Sequence, residues 1–105
     1  FIYYIRVIIF MQKISINDLI PMINNIKIID IRSIQSFNNN HIPNSVNIPI
    51  EKLLYNPEQY INKNDIYYIY CQKGISSYNV CNILNKLGYK TISIDGGYEA
   101  WILKN

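Results

Sequence analysis

The stretch that decides the fold is "IYYIYCQKGISSYNV", residues 66–80. Its first five residues are all aromatic or β-branched, the composition of a parallel strand covered on both faces. The run ends directly on Cys71. A short loop with one glycine comes next, and from about Ser76 to Leu87 the residues Val80, Ile83, Leu84 and Leu87 fall at i, i+3, i+4 and i+7, predicting a helix that stops at Gly88. A buried strand, a glycine loop and a helix in that order make one unit of an α/β domain.

The flanking sequence repeats the pattern with short connections. "KIS" (13–15) reads as an edge strand, and Ser15 can cap a helix through "INDLIPMI", which Pro21 keeps short or kinked. "IKIID" (26–30) is a second β-type run, and Ser33 can cap a helix near "IQSFNN". "SVNI" (45–48) is a strand between two prolines. "IEKLLY" supplies a helical turn or two, and "NPEQYI" begins another helix with Pro57 near its first position. "KTISI" (90–94) is the last strand, and Gly96 and Gly97 allow a tight turn into a terminal helix, with Trp101 in the core. The expected architecture is a small parallel sheet of about five strands flanked by helices on both faces.

The 105 residues suffice for one domain, and a hydrophobic content of 50% calls for a packed core. The excess of Ile, Asn, Tyr and Lys is a codon-composition background. The net charge of +3 is dispersed and forms no basic stripe, which argues against a nucleic-acid or membrane-surface role. "FIYYIRVIIF" (1–10) is too short to span a bilayer and has no signal-peptide layout. Met11 reads as the natural start, with residues 1–10 an upstream extension and 11–105 the domain. Removing Arg6 changes the charge only from +3 to +2. Cys71 and Cys81 form no C-x-x-C pair, and with the lone His41 they make no zinc site. Two free thiols imply a reducing, cytoplasmic setting.

The thiol of Cys71 stands where ligands bind in open parallel sheets, beyond the carboxyl end of a strand. The helix after it offers free N–H groups and the positive end of its dipole, which favour an anion such as a thiolate. Lys73 adds a mobile positive charge, and Gly74 lets successive N–H groups turn towards one centre. Cys71 is therefore the candidate nucleophile. Gln72, Lys73, Gly74, Ile75, Ser76 and Ser77 form the candidate anion-binding loop. Cys81, within the helix, reads as packing.

"IIDIRSIQSFNNNHIPNSVNIPIEKL" (28–53) resembles the N-terminal signature of rhodanese-like domains, an Asp-x-Arg strand end followed by a His-Ile-Pro segment. "YCQKGISSYNVCNILNKLGYKTISIDGGYEAW" (70–101) resembles their active-site loop, following helix and terminal Gly-Gly…Trp motif. The resemblance implies a sulfurtransferase that works without a cofactor or metal. Cys71 would take a sulfane sulfur from thiosulfate, a small-molecule persulfide or a protein persulfide. It would then pass the sulfur to a thiophilic acceptor, a thiol in the cell. Asp30 and Arg32, matching Asp-x-Arg, would support the loop as an ion-pair network, and His41 would serve turn structure. Asn44 and Ser45 replace the family's usual Gly-Ala. Related phosphatases and arsenate reductases use a loop one residue longer that ends in an arginine, which this chain lacks. Many rhodaneses also carry an arginine at the loop's last position, where this chain has Ser76; a hydroxyl supplies no fixed charge, so thiosulfate should be a poorer donor here. The alternative is a rhodanese-fold binding or regulatory module with weak or no turnover.

Overall fold

Local capping sets where the helices begin. The computed structural model describes residues 12–104, so the reading of residues 1–10 as an extension, with a start at Met11, lies outside the described residues. After strand β1 (Lys13–Ile14), Ser15 Oγ accepts the Asp18 N–H at 3.1 Å and opens helix α1 (Ile16–Leu19). Pro21 confines the next segment to a 3₁₀ turn, Ile20–Met22. Ser33 repeats the device, accepting from Ser36 N at 3.2 Å, between β2 (Lys27–Asp30) and α2 (Ile34–Asn39).

β3 (Ser45–Asn47), α3 (Ile50–Tyr55) and β4 (Ile66–Tyr70) come next. The helix expected from Pro57 is a single 3₁₀ turn, Pro57–Gln59. Helix α4 spans Ile75–Lys86, β5 spans Lys90–Ile94 and α5 spans Gly97–Lys104. Gly88, at φ 99°, closes α4. The Tyr89 N–H reaches Leu84 O and the Gly88 N–H reaches Asn85 O, both at 3.1 Å, which is the Schellman pattern.

The five strands are all parallel, in the order β1-β5-β4-β2-β3. Alternation along the central strand β4 divides its side chains between two cores. Tyr67 and Ile69 join Ile29, Leu53, Val80 and Leu84 on the α3/α4 face. Tyr68 and Tyr70 join Leu19, Ile28, Ile42 and Ile94 on the α1/α5 face. Helices therefore cover both faces. Trp101 is only half-buried against the second core instead of enclosed within it.

The buried face of α4 differs from the apolar stripe expected of it. It consists of Ser77, Val80, Cys81 and Leu84, whereas Ile83 and Leu87 are 47% and 53% exposed. The stripe is rotated because Ser77 is held beneath Cys71, and the positions in phase with Ser77 are 80, 81 and 84. Apolar periodicity alone does not detect a serine that acts as the buried anchor.

Candidate active site

The strand order places a crevice where the chain reverses direction. From β2 the chain goes through α2 to β3 on one side; from β4 it goes through α4 to β5 on the other. Beyond the carboxyl ends of β2 and β4 the connections diverge, the switch point at which parallel sheets bind ligands. A cleft of about 540 Å³ opens there. Ile31, Arg32 and Ser33 form one wall, and Cys71, Gln72, Lys73, Ile75 and Ser76 form the other.

Strand parity puts the thiol at its floor. Cys71 continues the odd positions of β4, so its side chain joins the core under α4 and is 8% exposed. Gly74 lies at φ 92° and turns the loop so that its own N–H and that of Ser77 both point at Cys71 Sγ, each at 3.2 Å. Ser77 Oγ is a third polar neighbour of the sulfur, at 3.5 Å. The N–H groups of Ile75 and Ser76 belong to the first helical turn, where no intrahelical partner exists. This constellation suits an anionic sulfur.

The loop's carbonyls are turned the opposite way by the start of α5. Tyr98 N donates to Cys71 O at 2.9 Å and Glu99 N donates to Gln72 O at 3.0 Å. Gly97 lies immediately beneath: a Cβ there would overlap Cys71 O and stand 2.9 Å from both Gln72 O and Gly74 N. The Gly96-Gly97 pair is thus the bed of the Cys71 loop as well as a turn, a role that sequence reasoning missed. The double glycine was the available signal, but only the pairing of β5 with β4 shows what lies above it.

Asp30, Arg32 and Gln72 form one network. Asp30 is fully buried and accepts from the Arg32 backbone N–H at 2.8 Å, from Nε at 3.0 and 3.1 Å, and from Nη2 at 2.8 Å. Nη2 also donates to Asn40 O at 2.7 Å, and Nη1 donates to Gln72 Oε1 at 3.3 Å. The guanidinium lies 4.2 Å from the Tyr98 ring centre. Burial works against the Arg32 charge, but the Asp30 hydrogen bonds and charge outweigh it, so its pKa is held above the ordinary value. Arg32 therefore pins the end of β2 to the loop, and its charge is largely neutralised by Asp30.

This arrangement of strand end, thiol loop and Gly-Gly bed extends over nearly the whole described chain, and the family profile of the rhodanese-like domain matches residues 15–104. The chain is a rhodanese-like domain. It is 35% identical over 96 residues to the thiosulfate sulfurtransferase GlpE of Shewanella oneidensis, covering 86% of this chain and 91% of that protein. Among solved structures it resembles a rhodanese-related protein from Thermoplasma volcanium at TM-score 0.81 and 26% identity, covering 90% of this chain and 93% of the other. A rhodanese-like domain protein from Staphylococcus aureus matches at TM-score 0.78 and 30% identity, covering 87% and 91%.

The other expected residues of this rhodanese-like domain divide between the cleft and its supports. Gln72, Lys73, Ile75 and Ser76 lie on the cleft rim, largely exposed, while Ser77 is fully buried. His41 stacks on Phe37 at 3.8 Å, with Nδ1 2.8 Å from Phe37 O, and so belongs to the turn. That turn is tied down by Tyr70, whose hydroxyl accepts from Ile42 N at 3.0 Å. Asn44 takes the left-handed conformation at φ 71°, which Asn tolerates better than most residues. Cys81 is fully buried on α4, and burial first of all pushes its thiol up to about 12, the chemistry of a packing residue. No helix among the described residues is long and apolar enough to cross a membrane.

Proposed function

We propose that this rhodanese-like domain is a sulfurtransferase that moves a sulfane sulfur from thiosulfate or a persulfide donor to a thiophilic acceptor through a persulfide on Cys71. The observation that carries the reading is the pair of backbone N–H groups, from Gly74 and Ser77, aimed at Cys71 Sγ on the floor of an open cleft. The Shewanella relative named as a thiosulfate sulfurtransferase supports it.

In the first half-reaction the Cys71 thiolate attacks the outer sulfur of thiosulfate. The S–S bond of thiosulfate breaks, sulfite leaves with the bonding pair, and the three negative charges of the reactants end as persulfide and sulfite. In the second half-reaction a thiolate acceptor attacks the outer sulfur of the protonated persulfide, takes the sulfur with its proton, and releases Cys71 as thiolate. The reaction divides one transfer into two displacements at sulfur. The N–H groups of Gly74 and Ser77 stabilise the cysteine sulfur, and Lys73 with the free amides of Ile75 and Ser76 would hold the incoming anion.

Ser76 supplies no fixed charge and Arg32 is committed to Asp30, so a dianionic donor relies on neutral N–H groups and Lys73. That favours a persulfide, small or carried on a protein, over thiosulfate as the better donor, with a thiol as acceptor. The test is intact-protein mass spectrometry after incubation with thiosulfate and, separately, with glutathione persulfide. One added sulfur atom mapped to Cys71 supports the enzyme. No addition from either donor to a demonstrably reduced thiol would leave the rhodanese fold acting as a binding module.

A further inference from the structure

Beneath the thiol lies a buried pair of hydroxyls that the proposed reaction does not yet use. Ser77 and Ser93 are 0% and 1% exposed, and their Oγ atoms are 2.8 Å apart. Ser77 comes from the first turn of α4, whereas Ser93 comes from β5 and lies outside the loop and outside the cleft. Ser77 Oγ also stands 3.5 Å from Cys71 Sγ and 3.3 Å from Gly74 O.

The donor count decides how these groups behave. A hydroxyl has one hydrogen to give and two lone pairs. With Cys71 as a neutral thiol, S–H points to Ser77 Oγ, and Ser77 gives its hydrogen to Gly74 O. When the sulfur is an anion it has no hydrogen to give, and Ser77 must turn its own towards the sulfur. Gly74 O does not then stand empty, because it still accepts the Tyr78 N–H at 3.3 Å. The lone pairs of Ser77 now lack the thiol's hydrogen. With the one hydrogen of Ser77 given to Gly74 O or to the sulfur, Ser93 donates across the 2.8 Å contact in both states and is the donor that remains to Ser77 beside an anionic sulfur. A hydroxyl that accepts a hydrogen bond donates a stronger one, which counts most when the acceptor is charged.

We infer that Ser93 is a positioning residue of the Cys71 site, acting through Ser77 to favour the anionic sulfur over the neutral thiol. In both proposed half-reactions the Cys71 thiolate appears, first as nucleophile and then as leaving group, so Ser93 would assist both. The inference deepens the sulfurtransferase reading and rests on Cys71 being its nucleophile. The other charged groups around the sulfur are Arg32, with Asp30 behind it, and Lys73 on the cleft walls. Glu99 of α5 lies behind Gln72, 3.5 Å from its amide, and Cys81 lies in the core on α4. None of them changes when Ser93 loses its hydroxyl.

The experiment is the pH profile of Cys71 alkylation by iodoacetamide, read by peptide mass spectrometry on folded protein. It needs no sulfur transfer, so its failure is distinct from failure of the enzyme reading. Ser93→Ala should raise the midpoint of the profile by roughly half a unit to one unit, the worth of one ordinary hydrogen bond between neutral groups, since Ser93 touches Ser77 and not the sulfur. Ser93→Thr, which keeps the hydroxyl, should restore it. In a Ser77→Ala background the further change Ser93→Ala should have no effect on the midpoint, because the relay is already cut. Thermal melts show that each variant is folded at the temperature of the assay. An unshifted midpoint in Ser93→Ala overturns the inference. So does a shift of equal size with and without Ser77, which would make Ser93 a general packing residue.

Discussion

Replacing Gly97 by alanine tests the link between the terminal Gly-Gly turn and the chemistry of Cys71. Two penalties fall on the variant. At φ 60° an L-residue sits in the left-handed region, which costs roughly 1–2 kcal/mol. The added Cβ would also overlap Cys71 O and press on Gln72 O and Gly74 N at 2.9 Å. All three are backbone atoms, so no side chain can swing aside. Either the start of α5 or the Cys71 loop must move, at a further cost of about 1–3 kcal/mol by analogy with overpacked cores. Gly88 is the matched control. Its φ is 99°, but a Cβ there meets only the Lys63 side chain, at 3.5–3.6 Å, which is ordinary contact.

Gly88→Ala should therefore lose about 1–2 kcal/mol and Gly97→Ala about 2–5 kcal/mol, the sum of the two penalties. In a domain of this size each kcal/mol lowers Tm by about 4–8 °C. Urea unfolding measures the stability, and the rate of iodoacetamide reaction at fixed pH reports on the sulfur. Only Gly97→Ala should slow that reaction, because displacing the loop turns the Gly74 N–H away from Sγ. Equal stability losses in the two variants, or a Gly97→Ala protein whose Cys71 reacts at the wild-type rate, would refute the reasoning.

Three further expectations rest on the same geometry. Cys71→Ala abolishes sulfur transfer while Cys81→Ala retains most of it; equal loss in a donor–acceptor assay would point to a two-thiol redox mechanism. Ser76→Arg raises kcat/KM for thiosulfate roughly tenfold, the effect of about 1.4 kcal/mol of charge-assisted hydrogen bonding, and leaves that for glutathione persulfide nearly unchanged. An unchanged thiosulfate rate would show that Lys73 and the loop amides already suffice. The Cys81 thiol, raised by burial from 9.0 to about 12, stays protonated in the folded chain after it ionises in the unfolded one. Its contribution is fully present below pH 9 and is lost as pH rises towards about 12, a loss of about 2 kcal/mol by pH 10.5. Urea midpoints at pH 8 and pH 10.5 should consequently fall less in Cys81→Ala than in wild type, and parallel falls would remove Cys81 from the account.

Much of this molecule can be read from local sequence because its decisions are local. Ser15 and Ser33 sit one residue before their helices, Gly88 sits one residue beyond the last helical turn's cap, and the aromatic run of β4 announces a strand covered on both faces. Cys71 was visible for the same reason, since strand, loop and helix adjoin it in the chain. Two kinds of feature escaped: a short-range contact made by a polar side chain, and pairings between distant segments. The phase of α4 is set by a contact between Ser77 and Cys71 that an apolar count ignores. Gly97 and Ser93 gain their significance only when β5 pairs beside β4 and brings its carboxyl end under the loop.

The same distinction bears on how the site can hold charge. The sequence shows Asp30 and Arg32 two residues apart but cannot show where the guanidinium spends its hydrogens. In the fold they go to Asp30, Asn40 O and Gln72, so the arginine at the cleft wall is a structural tie whose charge is already matched. With Ser76 at the loop's end, the donors fixed on the sulfur are oriented neutral N–H groups, with Lys73 an exposed charge on the cleft rim; in the proposed reaction they serve a singly charged, polarisable thiolate or persulfide at close range. They do less for a doubly charged oxyanion, which calls for a planar cationic fork. On the proposed reading the site selects by the strength of its field, favouring sulfur over phosphate, and a single arginine at position 76 is the change that tests it.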